Sequence, residues 1–199
     1  MKVRLVFFAL IMMLCAGFSA CSSRSPETLK NDADQKAVKV VALLPVENQT
    51  GDVRASKMLR LKISDELRFK GYPQVAIEVI DEGLAALAGG KEARKNDAVS
   101  PAFIRETLGA DAAMYCCLME SKAAKKIFYT PVTVSVRCEL RSTATGETLW
   151  NAQGKSTGRS FDLRGKTLDM KTAGDLEAVL EEVVGQVMES LPYGPKLRG

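Results

Sequence analysis

The sequence of 199 residues predicts an α/β fold in which a mixed five-stranded sheet carries helices on its faces. Three observations support this. Residues 38–46 form a nearly continuous apolar run rich in valine, which is typical of a strand buried on both faces. Apolar and polar residues alternate over residues 132–141, as in a strand with one buried face. Apolar residues recur at helical spacing over residues 176–191, as in an amphipathic helix.

The first half of the chain predicts two strands that alternate with two helices. The strand at residues 38–46 is followed by a turn and then by helical spacing of apolar residues over 58–69. A short apolar run at 75–80 predicts a second strand, and an aspartate at its end caps a short helix over 81–87. The polar residues 89–96 then predict a mobile loop.

The second half predicts a short helix, three antiparallel strands and a long final helix. A serine and a proline open the helix at residues 101–108, and a glycine ends it. Strands are predicted at 112–119, 132–141 and 149–156, the last two joined by a Thr-Gly turn. The final helix at 176–191 ends at a proline.

The N-terminus has the pattern of a secretion signal. Lys2 and Arg4 form a positive region, residues 5–14 form an apolar run, and small residues precede Cys21. The tetrapeptide Phe-Ser-Ala-Cys resembles the cleavage box of bacterial lipoproteins, in which the cysteine is acylated. We therefore expect lipid on Cys21 to attach the protein to a membrane. The alternative is an uncleaved membrane-spanning helix. Such a helix needs about 20 apolar residues, and this segment reaches that length only if Gly17 and Ser19 are counted.

Composition divides the remaining chain into a tether, one domain and a tail. After the signal at residues 1–20, residues 21–36 are polar and predict a flexible tether. Residues 37–192 have the length of a single α/β domain, and residues 193–199 form a C-terminal tail. Removing the signal takes away one lysine and one arginine, so the formal charge falls from +4 to +2. This balance gives no argument for nucleic acid as a partner.

The residue inventory argues against an enzyme. The chain has no histidine, so the commonest general base, a Cys-His nucleophile and a Cys-His zinc site are all excluded. No Cys-x-x-Cys spacing occurs, and no phosphate-binding loop is recognisable. We therefore expect no metal and no cofactor. Cys116 and Cys138 could pair across a hairpin in an oxidising compartment, but burial as small core residues is the favoured alternative.

Three segments carry a family resemblance. They resemble periplasmic proteins related to the amino-terminal domain of TolB and to the CsgG-like lipoproteins. The segments are VALLPVENQTGD, LGADAAMYCCLME and RCELRSTATGETLW. Together with the cleavage box, they are most similar to uncharacterised neisserial-type outer-membrane lipoproteins, the surface-antigen candidates. The resemblance spans residues 38–156 and implies a TolB amino-terminal-domain-like fold. The chain lacks the pore-forming insertions of CsgG, which favours an accessory subunit over a channel.

Two groups of residues are candidate sites. Asn48, Thr50, Gly51 and Asp52 follow the first strand, where open α/β sheets often bind ligands. They form either a ligand or partner site or, as we favour, a tight turn that needs these residue types.

The second group is aromatic and apolar, and it is a candidate partner surface. Ile127, Phe128 and Tyr129 follow a pair of lysines at the tip of a hairpin, and Trp150 lies on the next strand. For Ile127, Phe128 and Tyr129, packing of the hairpin tip against the last helix is an equally supported alternative. For Trp150, packing within the fold is the favoured alternative.

These observations predict a non-enzymatic, lipid-anchored periplasmic subunit of an outer-membrane transport, secretion or assembly complex. It would act by protein–protein interaction with other envelope lipoproteins or secretion-complex proteins. The outer membrane is favoured because serine, and not aspartate, follows Cys21. A homodimer is expected from the sheet edges and the long last helix. The alternative function is a periplasmic module that binds a small ligand near residues 48–52.

Overall fold

The structure, a computed structural model, describes residues 38–87, 99–123, 129–161 and 168–197. Within these residues the strands are β1 Val41–Leu43, β2 Glu47–Asn48, β3 Ala112–Ala123, β4 Tyr129–Ser142 and β5 Thr148–Phe161. The helices there are α1 Val53–Phe69, α2 Ile77–Leu87, α3 Pro101–Leu108 and α4 Leu168–Glu189. The predicted signal, tether and loop at 89–96 lie outside the described residues.

The strands form one mixed five-stranded sheet, which confirms the predicted fold class. The sheet order is β1-β3-β4-β5, and β2 also pairs with β3. β1 and β2 run parallel to β3, whereas β4 runs antiparallel to β3 and β5 antiparallel to β4. The central strand is therefore β3. The apolar run at residues 38–46 suggests by its own pattern that the first strand would be central, and this is not what the sheet order shows.

The prediction of a strand at residues 75–80 is wrong. The nearest pairing is a single parallel bridge between Val41 and Gln74, next to which Val75 N donates to Val41 O at 3.1 Å. The helix α2 already begins at Ile77. Ile80 and Leu84, four residues apart, are the buried positions of this segment. Their spacing is helical, but an apolar run of this length does not distinguish a strand from the start of a helix. β2 is the fifth strand instead.

Helices cover the two faces of the sheet unequally. α1 and α4 pack on one face over the larger core, which includes Leu59, Ile63, Leu180 and Val183. α2 and α3 pack on the other face over a smaller cluster around β1 and the start of β3. The second face is consequently left without a helix over β4 and β5 within the described residues.

The predicted caps of α3 are confirmed. The Ser100 hydroxyl accepts a hydrogen bond from Phe103 N at 3.2 Å, and Pro101 occupies the first turn. Gly109 ends the helix with φ +64°, a left-handed conformation that glycine adopts without strain. These short-range signals delimit the helix by themselves.

Lys70 joins the end of α1 to the end of α4. Its Nζ donates to Glu189 O at 3.1 Å and to Leu191 O at 2.8 Å, and it lies 5.2 Å from the centre of the Tyr193 ring. Burial lowers the pKa of Lys70, whereas the neighbouring carboxylates of Glu66 and Glu189 act to raise it. Lys70 thus supplies a charged donor to carbonyls that the end of a helix leaves unpaired.

Lys70→Met is expected to lower the free energy of unfolding by about 2 kcal/mol, because two carbonyl acceptors lose their donor. Urea denaturation at pH 7 measures this effect. Because the pKa is lowered in the folded state, the unfolded chain binds more protons as the pH approaches 10, so the advantage of the wild type over the variant should grow with pH. Lys57→Met, on the exposed face of α1, is the control. Equal losses in both variants would contradict this role of Lys70.

Candidate functional site

The turn at residues 48–52 connects β2 to α1 through hydrogen bonds of its own side chains. Asn48 Oδ1 accepts from Thr50 N at 2.9 Å, from Thr50 Oγ1 at 2.8 Å and from Gly51 N at 3.1 Å. Gly51 has φ +77°. Asp52 Oδ1 accepts from Ala55 N at 2.9 Å and caps α1. These contacts are what the turn interpretation predicts.

Asp52 also links the turn to the central strand. Its Oδ2 accepts a hydrogen bond from Ser121 Oγ at 3.0 Å, across a sequence separation of 69 residues. Both carboxylate oxygens of Asp52 therefore have partners in the protein. The turn lies at the carboxyl ends of β1 and β2, as predicted, and its polar groups act there in positioning α1 against the sheet.

Of the four residues of the predicted aromatic surface, the structure describes only Trp150 with its side chain. Ile127 and Phe128 lie outside the described residues, and only the backbone of Tyr129 is described, at the start of β4. Trp150 is 3% exposed, and its Nε1 donates to Ser190 Oγ at 3.1 Å. Trp150 is therefore not part of a partner surface, and packing within the fold, the alternative that the sequence favours, is what the structure shows. Its indole fills the core because it lies on the helix-covered side of β5.

Cys116 and Cys138 form a disulfide, although burial as free core residues is the alternative that the sequence favours. The two residues are directly paired in the β3–β4 ladder, with a Cα–Cα distance of 4.2 Å. This distance lies just below the usual range for disulfide-bonded residues. The bridge depends on the register between β3 and β4, which places Cys116 opposite Cys138 and is set by the sheet as a whole.

Cys117 is a half-buried free thiol on the opposite side of β3 from the disulfide. Burial raises the pKa of this thiol, the neighbouring Glu47 raises it further, and Arg137 partly counteracts both. A raised pKa keeps the sulfur protonated at neutral pH, which disfavours a nucleophilic role.

The side of the sheet away from α1 and α4 carries cross-strand polar pairs. Lys155 Nζ lies 2.7 Å from Glu120 Oε2, and Arg137 donates to Gln153 Oε1. Thr133 and Thr157 hydroxyls lie 3.0 Å apart. We call this side of β4, β5 and the second half of β3 the open face. Its residues are those that alternate with the core positions of the same strands.

Two carboxylates on the open face are held ionised. The hydrogen bond from Lys155 lowers the pKa of Glu120. Partial burial acts to raise the pKa of Glu139, but hydrogen bonds from Arg141 and Thr148 outweigh it and the net pKa is lowered. The open face is therefore a ladder of fixed charges at neutral pH and not an apolar patch.

Two further properties limit what the described part of the chain can do. No group of three or more histidine, cysteine, aspartate or glutamate side chains there could hold a metal ion. None of the helices described is both long and apolar enough to cross a membrane.

The molecule thus belongs to the class of small α/β domains that carry helices on both faces of a mixed sheet, and in the described residues the helices of one face leave β4 and β5 uncovered. The chain is a member of the family described as "putative lipoprotein GNA1162-like", whose model matches residues 32–192. Among curated proteins, none matches the sequence significantly. The resemblance to the neisserial-type lipoproteins is confirmed by this family, and the link to CsgG and TolB is not part of that finding.

Two solved structures share the fold. The lipoprotein GNA1162 from Neisseria meningitidis is 21% identical with a TM-score of 0.56, over 70% of this chain and 96% of that chain. A PelC dodecamer from Paraburkholderia phytofirmans is 16% identical with a TM-score of 0.54, over 84% of this chain and 94% of that chain. At these identities the likeness establishes the fold of the domain.

Proposed function

We propose that the protein is a lipid-anchored subunit of an outer-membrane transport, secretion or assembly complex, faces the periplasm and acts by binding other proteins without catalysis. The observation that carries this proposal is a lipoprotein-family domain, behind a cleavage box at Cys21, that contains a disulfide. Disulfides persist in oxidising compartments such as the periplasm. Acylation of Cys21 would hold the domain at the membrane surface.

The open face supports an interaction role. A sheet face that carries fixed charges and no covering helix over β4 and β5 within the described residues offers specific polar contacts to a protein partner. The sequence resemblance to CsgG-like lipoproteins supports a secretion or assembly complex as the setting. PelC, which shares the fold, is a dodecamer. The crosslinking experiment below therefore also tests whether the chain associates with further copies of itself.

Chemical crosslinking in intact cells, followed by mass spectrometry of the copurified proteins, tests the proposal. We expect envelope proteins to be recovered with the wild type and to be lost with Cys21→Ala, because an unanchored domain no longer reaches them. Cys15→Ala, which alters the signal but leaves the acylation site, should behave like the wild type. Recovery of no specific protein from any variant would contradict the proposal.

The alternative of a small-ligand module near residues 48–52 receives no such support, because the side chains of Asn48 and Asp52 are engaged within the turn and with Ser121. Native mass spectrometry of the purified mature protein distinguishes the two functions. A bound molecule of constant mass would favour the ligand module, whereas the mass of the chain alone agrees with the interaction role.

A further inference from the structure

β5 forms one edge of the sheet. Thirteen of its fourteen residues pair with β4 on one side, and in the described part of the chain no strand pairs with its other side. An unpaired edge presents backbone donors and acceptors that can add a further strand. Proteins commonly block such edges with proline or a bulge, but β5 contains no proline, and the irregularity in its pairing lies near its start, opposite Leu140 and Arg141.

The hydrogen bonds of the sheet show which residues of β5 offer these groups. Leu44 N donates to Met114 O at 3.1 Å, and Gln49 N donates to Leu118 O at 3.1 Å. The even-numbered residues of β3 in this stretch therefore direct their backbone groups towards β1 and β2. Cys138, which lies opposite Cys116, must direct its own groups away from β3 and towards β5.

The same alternation continues into β5. Ala152 pairs with Cys138, so the even-numbered residues of β5 bond to β4. Asn151, Gln153, Lys155 and Thr157 then direct their backbone N–H and C=O groups to the unpaired side. All four are exposed. The edge thus offers a regular row of four donors and four acceptors.

The helix α4, which packs on β5, is acidic in its second half. Residues 175–190 contain five acidic residues and no lysine or arginine. Two of these, Glu177 and Glu181, lie on the side of the helix that faces α1 and pair with Lys62. Glu182 lies on the side that faces β5, where its Oε2 accepts from Ser156 Oγ at 2.7 Å.

Glu182 is a carboxylate without a cationic partner in the described part of the chain. Besides Ser156, its hydrogen-bond donor there is the Gln186 amide at 3.3 Å, and both donors are neutral. Since Ser156 lies on β5 itself, a residue added beside the strand on the helix side would come close to this charge. The position therefore favours a lysine or arginine on the added strand.

Self-pairing of β5 fits this charge pattern poorly. Antiparallel pairing of two copies about a two-fold axis would place both α4 helices on the same side of the joined sheet, so the two Glu182 carboxylates would lie on the same side of the paired strands. Pairing centred on Lys155 would also set two lysines directly opposite, which is destabilising. The edge is more complementary to a basic chain than to a second copy of itself.

We infer that the outer edge of β5 binds an extended segment of a partner protein by strand addition, with lysine or arginine at the positions beside Glu182. This inference rests on the proposed function and names its contact surface. Main-chain hydrogen bonds to Asn151, Gln153, Lys155 and Thr157 supply affinity, and the side-chain pattern supplies specificity. On the open face, an acidic residue opposite Lys155 completes the pattern.

A photo-crosslinking residue at position 151 of the full chain, in intact cells, tests the inference. Asn151 is exposed, and its replacement by p-benzoylphenylalanine leaves the β4 ladder intact. Mass spectrometry should map the crosslink to a partner segment with basic residues at alternate positions. That segment, made as a peptide, is then titrated calorimetrically against the mature lipoprotein in detergent.

Gln153→Pro is the blocking variant, because proline removes an N–H that points away from β4 and so spares the ladder. We expect affinity for the peptide to fall about tenfold, while Gln153→Ala, which keeps the N–H, binds within about twofold of the wild type. Glu182→Gln keeps the acceptor for Ser156 and should weaken binding about threefold at low salt. An unchanged far-ultraviolet circular dichroism spectrum and melting temperature show that each variant is folded.

Three results would overturn the inference. They are a crosslink from position 151 to a second copy of the chain, a mapped segment without basic residues, or equal binding by Gln153→Pro and Gln153→Ala. If a general crosslinker recovers an envelope partner that position 151 does not reach, the edge is not the contact and the proposed function stands. If neither the general crosslinker nor position 151 recovers a partner, the result contradicts the proposed function, and with it the inference that rests on it.

Discussion

Cys116→Ala combined with Cys138→Ala is expected to lower the free energy of unfolding by about 3 kcal/mol. The two cysteines are 22 residues apart in sequence, and the bridge restricts the unfolded chain over that loop. Their side chains are also buried in the larger core, so the substitutions remove packing as well. Urea denaturation at pH 7 without reductant measures the change, and the dependence on urea should steepen because the unfolded chain expands.

Two controls separate the bridge from the loss of cysteine as such. Cys117→Ala leaves the bridge in place and should change the unfolding free energy by less than about 0.5 kcal/mol. Reduction of the wild type with dithiothreitol should reproduce most of the loss seen in the double variant and should not destabilise that variant further. A double variant as stable as the wild type would show that the bridge does not constrain the chain.

Gly154→Ala and Gly158→Ala are each expected to destabilise the domain by about 2 kcal/mol. A Cβ on Gly154 would lie 2.8 Å from Val187 Cγ2 and 3.2 Å from Val183 Cγ2, and a Cβ on Gly158 would overlap Val179 Cγ2. Valine is stiff about χ1, so α4 itself would have to move away from β5. Thermal and urea unfolding of the purified mature protein measure the effect.

The matched control is Gly185→Ala, in α4. A Cβ at that position meets nothing within 4 Å, and alanine is favoured over glycine within a helix by about 1 kcal/mol. The same chemical change should therefore stabilise the protein at residue 185 and destabilise it at 154 and 158. Stabilisation at all three positions would mean that α4 does not approach β5 as closely as the structure shows.

Local signals account for the parts of the fold that the sequence predicts well. The strand β4 follows from the alternation over residues 132–141, and α3 follows from its serine cap and terminal glycine. The turn at residues 48–52 follows from the preference of Asn, Gly and Asp for such turns. Each of these signals acts between residues a few positions apart, so no knowledge of the rest of the chain is needed.

The start of α2 could not be assigned in this way. Its first turn is apolar and follows a single bridge at Gln74, so the sequence of the segment is equally compatible with a strand. What makes it a helix is the burial of Ile80 and Leu84 in the cluster formed with β1 and α3. That cluster exists only once the sheet has formed.

The candidate surfaces depend still more on tertiary structure. Alternation shows that Trp150 lies on one side of β5 but not which side is covered, and the position of α4 determines that it is buried. The pairing of Cys116 with Cys138 and the unpaired edge of β5 are likewise decided by strand register and order. The sequence by itself determined the anchor pattern at Cys21, the class of fold and the family, because these are encoded in contiguous residues. Only the tertiary structure decided which residues are exposed to a partner, because exposure depends on every element packed against a strand.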